Sequence, residues 1–133
     1  MNEIKIQRVK ETLAVWNWIH DNPPKLTDEF WTYKERACIT ALNTELEEVL
    51  ADDYRGLRCH CPLCEQYYGE PDCPLGDCGS TGNNGCPCEQ GYYGKWRHSW
   101  TDSNPDMKSQ MERYSRLFIK QLEKILKELE SEQ

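Results

Sequence analysis

The chain has 133 residues, 38% hydrophobic and 29% charged, with a net charge of −7 and eight cysteines. That length fits one domain, and no run of eighteen apolar residues is present that could span a membrane. The acidic balance repels phosphate backbones and so counts against non-specific nucleic-acid binding.

The first predicted element is a helix. Ile6, Val9, Leu13, Trp16 and Ile19 recur at steps of three and four, which places them on one stripe. The pattern stops at His20-Asp21-Asn22-Pro23-Pro24, because two prolines end any helix. His20 reads as a residue favoured at a helix C-terminus rather than as a catalyst. The opening MNEIKIQRVKETLAVWNW carries charges throughout and does not read as a secretory signal, so the thiols are expected to stay reduced in a cytosol.

A second helix is predicted from Thr27, a good N-cap, with Asp28 and Glu29 in its first turn. Phe30, Lys34 (by its stem), Ala37, Cys38, Ala41 and Leu42 form its stripe, which makes Cys38 a small core residue. Thr44-Glu45-Leu46-Glu47 reads as a capping box where the helix breaks and restarts, and Leu46, Val49 and Leu50 finish it.

Residues 59–100 lose helical periodicity and hold seven cysteines, most of the glycines and several prolines. A loop of that length in a compact domain needs a staple. Cys61-Pro62-Leu63-Cys64 is a tight turn that lets two thiolates converge on one tetrahedral ion. Cys73-Pro74-Leu75-Gly76 repeats its first three residues, and Cys78 follows five residues after Cys73. Cys61, Cys64, Cys73 and Cys78 therefore make the first-choice zinc site, in the manner of a zinc knuckle. Cys86 and Cys88 are substitutes for the second pair. The Cys59-His60-Cys61 and Cys86-Pro87-Cys88 spacings suit two neighbouring ions. A second Zn2+ can thus draw on Cys59, Cys86 or Cys88 with His60 or His98. A disulfide framework and a redox dithiol compete with this reading. The first needs a secretory context and the second a βαβ pattern, and neither is visible.

The stretch GYYGKWRHSW (91–100) interleaves four aromatics with Lys95, Arg97 and His98. It has two readings: a stacking platform for single-stranded nucleic acid, or rings that pack the zinc loop onto the helices. The acidic surroundings favour packing.

The last predicted element is the clearest helix, capped by Ser103 or Asn104 with Pro105 just inside its start. Met107, Met111, Tyr114, Phe118, Leu122, Ile125 and Leu129 span 22 residues in six steps, a period near that of a straight helix. Leu117, Ile119 and Leu126 widen the stripe beyond one groove of a small bundle. Ile119 and Leu126 are accordingly expected to be partly exposed, rimmed by Lys120, Glu123, Lys124, Lys127 and Glu128, as a surface for a second copy or a foreign target. The competing reading packs them under the zinc loop.

The fold expected is mainly α. Within a single domain, N-terminal helices (1–58) and a long C-terminal helix (101–133) form a small antiparallel bundle around an inserted zinc-stapled, cysteine-rich module (59–100). No catalytic constellation is visible: no zinc-deaminase pattern, no His-Glu-x-x-His helix and no phosphate-binding glycine loop. A thiolate-rich site of this kind is closed and structural, so the chain reads as a non-enzyme.

"CPLCEQYYGEPDCPLGDC" followed by "GYYGKW" and a helix resembles a pattern in small uncharacterised cysteine-rich proteins of tailed bacteriophages. Cys61, Cys64, Cys73, Cys78, Tyr92, Tyr93 and Trp96 carry the match, over roughly 59–126. The related pattern often has a further cysteine where this chain has Glu70. The resemblance implies a bound metal and a phage origin, hence the cytoplasm of an infected host cell. With the size and acidity, it suggests an accessory protein that binds a host or phage protein, best read as an inhibitor of a host defence or metabolic protein. Ile119, Leu126, Tyr92, Tyr93 and Trp96 are the candidate contacts. The alternative is a zinc-stabilised nucleic-acid-binding module using 92–100.

Overall fold

The computed structural model describes residues 3–42 and 92–132. These residues form four α-helices and no strand: α1 (Glu3–Asp21), α2 (Phe30–Leu42), α3 (Tyr92–Ser99) and α4 (Met107–Ser131). The mainly α expectation is met. The capping box at 44–47 and the cysteines from 59 to 88 lie outside the described residues. No helix among the described residues is long and apolar enough to cross a membrane.

α1 buries Ile6, Val9, Thr12, Val15, Trp16 and Ile19. The stripe read from sequence is there, with Thr12 and Val15 in its centre and Leu13 at its margin. Thr12 tolerates burial because its hydroxyl donates to the Arg8 carbonyl at 2.8 Å. α1 ends where Asn22 caps it from both backbone and side chain, each donating to the Trp18 carbonyl.

α2 begins at Phe30, three residues later than the sequence suggested. Asp28 is consumed by a turn: its carboxylate accepts the Lys25 N–H at 2.8 Å, and its own N–H donates to the Lys25 carbonyl at 3.0 Å. Glu29 is the residue that caps, its carboxylate accepting from the Thr32 N–H at 2.7 Å and hydroxyl at 2.8 Å.

α4 and α1 run antiparallel, as two contacts at opposite ends show. Lys10 Nζ lies 3.9 Å from Glu130 Oε2, and His20 Nδ1 lies 2.9 Å from Ser115 Oγ. The first pair is half-exposed and contributes little. Ser115 is buried and donates to the Glu112 carbonyl, so its oxygen is left to accept from the His20 ring. α4 starts at Met107, after a turn in which the Asn104 side chain accepts from the Asp106 N–H at 3.0 Å. The N-cap is Asp106, which makes no side-chain cap hydrogen bond, so the cap expected at Ser103 or Asn104 falls later and Pro105 lies outside the helix, because Asn104 is used in the preceding turn. α1 packs on α2 and α4, and α3 packs on α4.

Candidate functional site

The 92–99 segment was expected to be irregular and is instead the helix α3. Tyr93 and Trp96, three apart, point the same way and bury their rings almost completely at 1% exposure. Ser99 closes the turn by donating to the Lys95 carbonyl at 2.7 Å. The gain that holds so short a helix is tertiary, since eight residues with Gly94 inside would not persist alone.

The centre of the protein is an aromatic cluster built on Trp16, which has no exposed surface. Its indole meets Tyr93, Trp96 and Phe118 edge-on, at centroid distances of 5.8, 5.0 and 4.9 Å. Tyr33 of α2 stacks near Trp96 at 6.4 Å and meets Trp100 edge-on at 5.6 Å. One ring set thereby joins all four helices, with α2 reaching α3 through side chains alone. The Trp16 Nε1–H is buried with no hydrogen-bond partner among the described residues.

Of two further members of this cluster, Tyr33 was not legible in the sequence and Lys34 only in part. Tyr33 is 2% exposed, and its hydroxyl donates to the Asn22 carbonyl at 2.5 Å, tying α2 to the end of α1. Burial, and secondarily the negative charge of Asp28, pushes its phenol well above the ordinary value. Lys34 was expected to bury only its stem; the whole residue is buried. Its Nζ stands 5.2 Å from the Trp16 ring and 5.5 Å from the Tyr93 ring, faces that attract a cation.

The residues singled out for function divide as follows. Cys59, His60, Cys61, Cys64, Cys73, Cys78, Cys86 and Cys88 lie outside the described residues. Among the described residues, no group of three or more His, Cys, Asp or Glu is placed to hold a metal. His98 lies on α3 and is exposed. Cys38 is 1% exposed within the core, the place the stripe assigned to it.

The proposed contact residues need correction. Tyr93 and Trp96 are core, so neither offers a face to a partner, and Tyr92 is half-buried against the same core. Ile119 is also core, at 9% exposure, whereas Leu126 is partly exposed as expected, with its other side packed against the core. α3 packs on α4, and Ile119 joins the one core cluster that also holds Tyr93 and Trp96. For nucleic-acid stacking, the rings that remain in 92–100 are already engaged: Lys95 lies over Tyr92 at 5.7 Å, and Trp100 meets Phe30, Tyr33 and Trp96 at 5.8, 5.6 and 5.8 Å.

Leu42 and Tyr92, which border the residues not described, both pack against this one core. The frame thus holds residue 42 and residue 92 on the same hydrophobic centre. No protein-family model, curated protein or solved structure matches the chain.

Proposed function

We propose that this is a non-enzymatic, zinc-stapled binding protein whose helical frame carries an acidic, cysteine-rich insert to a basic surface of a partner protein. The observation that carries the reading is how charge and cysteine divide along the chain. Residues 3–42 and 92–132 hold fourteen Lys and Arg against thirteen Asp and Glu, and a single cysteine, Cys38. Residues 43–91 hold two arginines against ten carboxylates, and the other seven cysteines. The frame is nearly neutral, and the whole acidic surplus belongs to the insert. Four thiolates on one zinc would deepen that charge further.

Cys61, Cys64, Cys73 and Cys78 are the donor set, with Cys59, Cys86, Cys88, His60 and His98 as donors for exchange or a second ion. A tetrahedral all-sulfur set suits zinc and leaves no open position for chemistry. Metal binding of this kind supplies roughly 10 kcal/mol or more to the folding of a small module. Clustered charge steers association and suppresses wrong partners, which is what a small inhibitor needs. The resemblance to phage proteins directs the reading to a protein of the infected host, in its cytoplasm, as the target. Burial of Tyr93 and Trp96 weighs against the alternative of a nucleic-acid-binding module.

Zinc-replete protein prepared under reducing conditions is immobilised and exposed to lysate of a bacterial host, beside a gel shift with single- and double-stranded DNA. The reading expects one captured protein that is released by salt and is not captured by Cys61→Ser or Cys64→Ser. Sub-micromolar DNA binding that weakens steeply with salt, or a fully folded metal-free sample, would overturn it.

A further inference from the structure

A second surface lies on the frame itself, at the end of the bundle where the 22–29 turn meets the start of α4. A groove of about 310 Å³ opens there. Its walls are Pro23, Pro24 and Leu26 on one side and Met107 and Met111 on the other. Met111 is the buried floor at 2% exposure, whereas Leu26 is 49% exposed, one of two large hydrophobics so placed among the described residues.

The charged residues lining this groove are Lys25 and Lys108. Both are exposed, and neither ammonium forms an ion pair among the described residues. The nearby carboxylates, Asp28 on the Lys25 N–H and Asp106 at the N-cap of α4, are not among the residues that line the groove. The groove is therefore apolar inside and cationic at the rim, on a chain whose net charge is −7.

From this charge complementarity we infer that the groove docks a peptide segment of another protein, with one apolar side chain in the groove and acidic residues flanking it. The walls are suited to that occupant. The two prolines have fixed φ, and the reciprocal Lys25–Asp28 hydrogen bonds lock the turn, so little ordering is needed on binding. The two methionines adapt their shape to the incoming side chain. Acidic flanks would find two ammonium groups that no ion pair among the described residues holds. The inference stands apart from the zinc reading, because no cysteine takes part.

The chain offers its own reporters, since two of its three methionines line the groove. Zinc-replete protein of residues 1–133 carrying 13C-methyl methionine is titrated with a hexapeptide of two central leucines flanked by Asp and Glu. The same leucines flanked by lysines serve as the control. The Met107 and Met111 methyl signals should move. The Lys25→Glu, Lys108→Glu double variant should weaken binding by roughly tenfold or more, and Leu26→Ser should weaken it as well. All three positions are exposed, so the fold survives these changes, and the dispersion of the methyl spectrum verifies it. The inference is overturned by unmoved Met107 and Met111 signals at about 1 mM peptide, by equal binding of the lysine-flanked peptide, or by unchanged affinity in the double variant. It is also overturned if protein concentration alone moves these signals, which would make a second copy the occupant.

Discussion

Replacing Tyr33 by phenylalanine tests the packing of this core through a pH crossover. The ring contacts with Trp18, Trp96 and Trp100 are retained, and only the hydroxyl is lost. That hydroxyl makes one short bond, 2.5 Å to the Asn22 carbonyl, and a second at 3.5 Å to the Ile19 carbonyl, near the limit of a hydrogen bond. Asn22 is exposed, so its carbonyl regains water, and the variant should be less stable by only about 1 kcal/mol at pH 7. The sign reverses at high pH. The phenol is raised above its ordinary 10.0, first by burial and then by Asp28, with Arg36 opposing. Above pH 10 the unfolded chain ionises Tyr33 while the folded chain keeps it protonated. Each further pH unit then removes about 1.4 kcal/mol of wild-type stability, a loss the Tyr33→Phe variant does not share. The two stabilities should meet at about pH 10.6 and cross above it. Urea unfolding followed by tryptophan fluorescence, on both proteins at about pH 7 and from about pH 9 to 11.5, reads the difference directly. A gap that stays constant through about pH 11 would show that the phenol ionises in the folded protein and that the burial argument is wrong. A gap above about 3 kcal/mol at pH 7 would show that more than one hydrogen bond was lost.

Elemental analysis should find zinc at one equivalent, or two if the second donor set is filled. Cys61→Ser and Cys64→Ser should lose metal and solubility, whereas Cys38→Ala keeps the metal and costs about 1 kcal/mol of core packing; equal metal loss in all three would contradict the core placement of Cys38. Ile119→Asp should unfold the protein, at more than about 3 kcal/mol for an unpaired buried charge, while Leu126→Asp is milder. Circular dichroism separates the two, and a folded Ile119→Asp protein would restore that residue to the surface. Trp96→Ala should cost about 3–5 kcal/mol and Tyr92→Ala much less, compared by thermal melts; equal effects would mean that α3 is not seated as described.

Helical period alone delimited α1, because Pro23-Pro24 ends it unambiguously, and it made α4 legible over its whole length. It also put Cys38 inside. These were readable because a long amphipathic helix repeats its signal many times and because proline acts locally. The metal donors, too, are a matter of spacing and chemistry in the sequence, and they remain a proposal here.

What sequence could not decide was every feature that depends on a neighbour. The start of α2 moved from Thr27 to Phe30 because Asp28 had a better use in the turn with Lys25. Eight residues around Gly94 carry too little periodic signal to announce a helix, and α3 forms because Tyr93 and Trp96 find Trp16. Ile119 looked like surplus apolar surface until it joined the core that also holds Tyr93 and Trp96. Lys34 looked like a residue whose charge must reach water until two aromatic faces met its ammonium. Period and propensity act along the chain, but burial is settled by what packs from elsewhere, and only the assembled helices specify that.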